Sequence, residues 1–150
     1  MRHSFLIPGL VLLALAGCVD PTDIEHTTFA TSLNIDLSTM TQTPTGLYYK
    51  DLVVGNGALV VNGQTLAIHY VGNLPNGTQF DANNPPAMPF TFKLGAGEVI
   101  AGFDQGVAGM HVGGRRQMIL PPNLGYGAQV VGSIPPNSIL VFTVDVVSAQ

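Results

Sequence analysis

The sequence predicts an α+β domain: an antiparallel β-sheet of about five strands curled around one short α-helix. Three observations predict it. From Thr43 onward, short runs rich in β-branched and aromatic residues alternate with Gly, Asn and Pro. Only one stretch, near 99–110, carries its apolar residues at helical spacing. A little over 100 residues remain once the N-terminus is set aside, enough to bury a core between a sheet and one helix.

The N-terminus is set aside for a physical reason. Met1-Arg2-His3-Ser4 carries a positive charge, and the chain from Phe5 to Ala16 is almost wholly apolar. That run falls short of the ~20 residues of a membrane-spanning helix and has the charge order of a secretory signal. It ends in Leu15-Ala16-Gly17-Cys18, small residues before a cysteine, as in the lipobox of a bacterial lipoprotein. On that reading residues 1–17 are removed and Cys18 takes the lipid, a firm anchor once two or more acyl chains are buried. An ordinary secretory signal with an incidental cysteine is the alternative. Cys18 is the chain's one cysteine, so the mature domain is expected to have no disulfide.

Residues 18–43 are expected to tether the domain, 44–150, to that lipid. They hold many threonines and no lysine or arginine. Leu33, Ile35 and Leu37 alternate with polar residues as in a half-buried strand, which predicts one docked piece within the tether.

In the domain, 46–54 reads as a first strand, closed by Gly55-Asn56-Gly57. The second, 64–71, places Leu66, Ile68 and Tyr70 on one face and Ala67, His69 and Val71 on the other. Pro75-Asn76-Gly77 predicts a hairpin turn with positive φ tolerated at Asn and Gly, which explains Asn76-Gly77-Thr78 better than a glycosylation signal does. Residues 78–81, 90–94, 115–120 and 139–147 read as further strands. Between them Val99, Ile100, Phe103, Val107 and Met110 predict the helix, with Glu98 near its positive end. Gly102 and Gly106 lie inside it, each costing up to about 1 kcal/mol against alanine, so sheet packing must hold it.

Several chemistries find no support. Four basic residues (Lys50, Lys93, Arg115, Arg116) face nine acidic ones beyond position 17, with no basic patch, so nucleic acid is not an expected partner. His69 and His111 stand apart from any Cys or carboxylate pair at ligand spacing, so no metal and no cofactor are expected. His69 reads as a packed or edge histidine. No Gly-x-Ser-x-Gly elbow occurs, and Gly95-x-Gly97 lacks the rest of a dinucleotide fingerprint.

Six stretches, in order, carry a resemblance: 67–72 (AIHYVG), 77–81 (GTQFD), 89–92 (PFTF), 95–103 (GAGEVIAGF), 125–127 (GYG) and 134–137 (IPPN), followed by Leu140-Val141-Phe142. From about Thr45 to Val147 the chain resembles the FKBP family of peptidyl-prolyl cis-trans isomerases. The resemblance implies the FKBP-like fold and isomerisation of the bond before proline. Its partners would be proline-containing polypeptides and the macrolide inhibitors of that family.

Carried over position by position, the resemblance implies a pocket of Tyr70, Phe80, Asp81, Phe90, Val99, Ile100, Phe103, Tyr126, Ile134 and Phe142. The Ile100 N–H and Tyr126 hydroxyl would bind substrate carbonyls, and Tyr70 would hold Asp81 at the pocket wall. Each has a plainer reading: aromatics on strands are usually core, and Asp81 suits a turn. Two departures stand out. Phe103 occupies the floor where many members have tryptophan, and 127–133 is short, without the aromatic or histidine some members carry there. The dimerisation helices and inserted flap of some members have no counterpart, and a monomer is expected. With the lipobox, the chain reads as a membrane-anchored isomerase of a bacterial cell envelope, facing the periplasm or exterior. An FKBP-like binding module with little turnover, and a structural lipoprotein, are the other readings.

Overall fold

The computed structural model describes residues 22–150. The expected signal, 1–17, and the expected lipid site, Cys18, lie outside the described residues.

One antiparallel sheet organises the domain. Its strands are β1 (Thr41–Gln42), β2 (Tyr48–Val53), β3 (Thr65–Asn73), β4 (Gln79–Asn83), β5 (Phe90–Lys93), β6 (Arg115–Leu120) and β7 (Leu140–Ala149). Their order is β1-β2-β6-β7-β3-β4, and β5 also pairs with β3. Among the described residues seven strands form rather than about five. All the strand-like runs of 44–150 pair, and Thr41–Gln42 adds a short edge beside β2. Strand β3 serves two partners on one side: its first half pairs with β5 and its second half with β4.

Side-chain alternation puts a core on each face of the sheet. Leu66, Ile68, Met118, Leu120, Leu140, Phe142, Val144 and Val146 point to the concave face, where they meet Leu47, Phe92, Phe103 and Val107. Tyr48, Ile119 and Val141 point to the other face and form a second cluster with Ile24 and Ile139.

Among the described residues the one α-helix, α1 (Ala101–Val107), is shorter than the apolar spacing suggested. Val99 and Ile100 precede it, and Met110 follows it in a turn. Its two inner glycines have a packing reason: a Cβ at Gly102 would strike the Leu120 side chain, and one at Gly106 the Met118 sulfur. The helix therefore lies nearly against β6. Its C-terminal end is held by Arg116, only 5% exposed, whose guanidinium donates to the Gly106 and Ala108 carbonyls at 2.9 and 3.2 Å. The same group pairs bidentately with Asp51 and lies 4.4 Å from the Tyr49 ring centre. Glu98 does not act on the helix end as its position suggested. Its carboxylate accepts the Lys93 N–H, while Asp104, inside the helix, accepts the Gly95 and Gly97 N–H groups.

The hairpin between β3 and β4 also differs in detail. Gly77 has φ +87° while Asn76 stays at negative φ. The Gly77 N–H donates to Leu74 O and the Leu74 N–H to Thr78 O, a three-residue loop closed by one left-handed glycine.

The largest departure concerns 22–43. Expected as a tether with one short docked piece of strand-like alternation, it is docked along its described length and contains no strand before Thr41. Three short 3-10 turns (Ile24–His26, Thr31–Leu33, Leu37–Thr39) carry it across the outer face of the sheet. Leu33, Ile35 and Leu37 do alternate between half-buried and exposed neighbours. The alternation comes from two turns joined through Asn34 in the left-handed region, not from a ladder. Asp23 and Asp36 accept the N–H groups of Glu25 and Ser38 and so start two of the turns locally.

Candidate functional site

A concave pocket of about 430 Å³ opens between α1, the β3–β4 hairpin and the loop after Pro122–Leu124. Tyr70, Phe80, Asp81, Phe90, Glu98, Val99, Ile100, Phe103, Tyr126 and Phe142 line it. Nine of the ten residues singled out from the sequence meet there. Ile134 does not line it. It is buried in the concave core, exchanging backbone hydrogen bonds with Val131. The sequence reading missed Glu98 as a lining residue, because its place depends on the turn at Gly95 and Gly97, both at positive φ.

Each side chain is placed by its element. Tyr70 comes from the concave face of β3, continuing the row of Leu66 and Ile68. Phe142 comes from β7, opposite Gly72 on β3. Gly72 matters here: a Cβ would sit 2.7 Å from the Phe80 ring and 2.8 Å from that of Phe142. A glycine inside a strand pattern marks such close approach, and was the one sequence signal for it. Phe103 enters from α1 as the floor, 4.7 Å from Phe142 and 5.9 Å from Tyr70, both edge-to-face. Phe80 meets Phe142 at 5.5 Å and Phe90 meets Tyr70 at 6.0 Å, again edge-to-face. Such pairs contribute about 0.5–1.5 kcal/mol beyond area burial and fix ring orientation.

Polar groups are few and directed. The Tyr70 hydroxyl donates to Asp81 Oδ2 at 2.7 Å. Burial first, then the Asp81 hydrogen bond and charge, holds the Tyr70 hydroxyl well above its usual ionisation range. Burial, then the Asp81 charge, also raises that of Tyr126. Both phenols are therefore neutral donors at physiological pH. Among the described residues the Tyr126 hydroxyl and the Ile100 N–H have no protein acceptor. Ile100 sits at the N-cap of α1 in an extended conformation, so its N–H lies outside the helical bonding pattern.

This arrangement supplies an apolar, aromatic enclosure, two unpaired neutral donors and one oriented carboxylate. It contains no nucleophile–base pair. Among the described residues no group of three or more His, Cys, Asp or Glu side chains could hold a metal ion. His69 lies on the other face, its Nδ1 2.9 Å from Asn83 Oδ1.

The sequence model of FKBP-type peptidyl-prolyl cis-trans isomerases matches residues 57–147. The chain belongs to the FKBP-type peptidyl-prolyl cis-trans isomerase family. FK506-binding protein 3 of Candida albicans is 48% identical over 105 residues, covering 70% of this chain and 24% of its own length. FK506-binding protein 4 of Dictyostelium discoideum is 46% identical over 112 residues, covering 74% of this chain and 30% of its own. The crystal structure of AtFKBP13 aligns with a TM-score of 0.69 at 39% identity, covering 74% of this chain and 98% of that one. FkpA from Escherichia coli aligns with a TM-score of 0.68 at 33% identity over 75% of this chain and 52% of its own. The chain spans about a quarter of the length of the curated relatives it matches. Those relatives are eukaryotic FKBPs and lend no support to the lipid-anchored bacterial form. The FKBP match leaves out residues 22–43, the segment docked on the outer face.

Proposed function

We propose that this chain catalyses cis-trans isomerisation of X-Pro bonds in polypeptides, with proline held in the aromatic pocket. The observation that carries the proposal is the pairing of that enclosure with two unpaired neutral donors, the Ile100 N–H and the Tyr126 hydroxyl.

The amide resists rotation by about 18–20 kcal/mol because planar resonance polarises it. Water solvates that polar ground state and so opposes twisting. The twisted transition state has lost resonance and has a less polar carbonyl. Phe80, Phe90, Phe103 and Phe142 would surround the proline ring and remove that water. The Ile100 N–H and Tyr126 hydroxyl would donate to substrate carbonyls and fix the twist. Tyr70 would hold the Asp81 carboxylate at the wall. Each 1.36 kcal/mol of differential stabilisation gives a tenfold rate, so a few kcal/mol suffice without an acid, base or metal.

Relatives named FK506-binding proteins support macrolide binding in the same pocket. For the whole protein we propose lipid attachment at Cys18 and action on exported proteins at a bacterial cell envelope. Leu15-Ala16-Gly17-Cys18 supports this, with Cys18 the one cysteine in the sequence. Val19 rather than aspartate after the cysteine would suit outer-membrane sorting.

Protease-coupled isomerisation of an X-Pro tetrapeptide by the chain from residue 19 onward tests the activity. Acceleration that a macrolide abolishes supports it. Macrolide binding without acceleration would identify a binding module instead. Detergent phase separation of the full chain against Cys18→Ser tests the anchor, and equal partitioning of the two would reject it.

A further inference from the structure

We propose that residues 24–42 are a positioning strap for the pocket, acting through the Ala30 N–H on the β3–β4 hairpin. The inference rests on the isomerase reading of that pocket and extends the working domain beyond the FKBP match, which begins at residue 57.

The hairpin needs such a support. Strand β4 carries Phe80 and Asp81 and ends the sheet, pairing with β3 alone. Its ladder is interrupted where the register shifts between Gly72 and Asn73. An edge hairpin held by one short, broken ladder belongs to the low-stability end of a fold. Yet the pocket requires Phe80 against Phe142 and Asp81 within 2.7 Å of the Tyr70 hydroxyl.

The strap supplies a further attachment, at the turn itself. Its Ala30 N–H donates to the Pro75 carbonyl at the hairpin turn at 2.8 Å. The two segments are also close-packed there, since a Cβ on Gly77 would lie 3.1 Å from both the Ala30 Cβ and the Ser32 Oγ. The strap itself is anchored firmly away from the hairpin. Ile24 is 4% exposed among Tyr48, Ile119, Ile139 and Val141. The largely buried Gln117 donates its Nε2 to the Leu33 carbonyl at 2.8 Å, and the Tyr48 hydroxyl donates to Glu25 at 2.9 Å. Phe29, beside Ala30, packs on the same cluster. A load path therefore runs from β2 and β6, through the strap, to the turn that aims β4. Ala30 does not line the pocket; it is a positioning residue.

One substitution isolates the link. Ala30 has φ −59°, within the range proline imposes, so Ala30→Pro deletes the N–H without asking φ to change. Ala30→Gly keeps the N–H and is the rescue control. Ile24→Ala weakens the strap away from the hairpin. Turnover is measured well below each variant's Tm and normalised to folded protein, with hydrogen exchange read at 74–83.

We expect Ala30→Pro to lower kcat/KM about 3–10-fold and to speed exchange at 78–82 at least tenfold. Ala30→Gly should match the wild type, and Ile24→Ala, which loosens the anchored end of the same strap, should lower Tm and shift exchange at 78–82 in the same direction as Ala30→Pro. Unchanged turnover and exchange in Ala30→Pro, or an equal loss in Ala30→Gly at equal folded fraction, overturns the proposal. If Ala30→Pro does not fold, wild-type exchange decides. A common rate for the Ala30, Leu74 and Gly77 amides supports the strap, and an Ala30 amide exchanging many times faster rejects it. If the wild type shows no turnover, the isomerase reading fails, while the exchange data still test the strap.

Discussion

Removing the Tyr70 hydroxyl is the cleanest test of how the pocket's polar wall works. Tyr70→Phe leaves the ring in place, with its edge-to-face contacts to Phe90, Phe103 and Phe142 at 6.0, 5.9 and 6.3 Å. It deletes one hydrogen bond, the 2.7 Å donation to Asp81 Oδ2. A bond to a charged acceptor contributes about 1.5–3 kcal/mol when water cannot replace it. Asp81 is exposed, so water can take over part of the lost donation and the cost falls below that range, to about 1 kcal/mol. About 1 kcal/mol corresponds to roughly a fivefold fall in kcat/KM, since 1.36 kcal/mol is tenfold. Stability to urea should change little because the apolar contacts survive. The assay is protease-coupled isomerisation on a double-mutant cycle of Tyr70→Phe and Asp81→Asn. Neighbours sharing a hydrogen bond should couple by 0.5 kcal/mol or more, whereas independent sites add within about 0.3–0.5 kcal/mol. Additive losses would refute the view that Tyr70 works by holding Asp81. Full activity in the double variant would refute a polar wall altogether.

Three further outcomes are expected. Tyr126→Phe and Asp81→Leu should fold normally but turn over roughly 5–150-fold more slowly, the range for lost hydrogen bonds of about 1–3 kcal/mol; denaturation curves separate this from a core role. Phe103→Trp, which enlarges a floor ring opening onto a cavity of about 430 Å³, should tighten macrolide and peptide binding with little change in kcat, because added contact serves ground and transition states alike. A tenfold rise in kcat with unmoved affinity would contradict that, and overpacking would show as a stability loss of about 1–3 kcal/mol. The pH profile should be flat from about pH 7 to 9.5, since both pocket phenols are held above their usual range. Their raised values mean the folded state keeps protons that the unfolded chain releases near pH 10. That stabilisation is complete below pH 10 and is lost as pH rises through the folded-state values. A fall in turnover centred below pH 9.5 would contradict the assigned burial.

The sequence alone determined the layers and most of the pocket. Facing residues along 64–71, with the apolar runs in 115–120 and 139–147, specify two-sided strands, because a pleated strand sends successive side chains to opposite faces. The aromatic positions read from the FKBP resemblance, Phe80, Phe90, Phe103 and Phe142, meet in one cavity because they lie on strand faces and a helix whose sides are dictated locally. The tertiary structure alone decided what depends on residues far apart in the chain. Gly102 and Gly106 read as costs to a helix until Leu120 and Met118 are seen in the space a Cβ would fill. Ile134 carries the apolar character of a lining residue but turns into the core, a choice made by its pairing with Val131. Arg116 looks like a surface cation and is instead buried, because the carbonyls at the end of α1 and the Asp51 carboxylate satisfy it together. Residues 22–43 lack the long apolar period that marks a strand or helix, so composition reads them as a tether. Their single apolar residues dock one at a time on a surface that Tyr48, Ile119, Ile139 and Val141 assemble only once the sheet has formed.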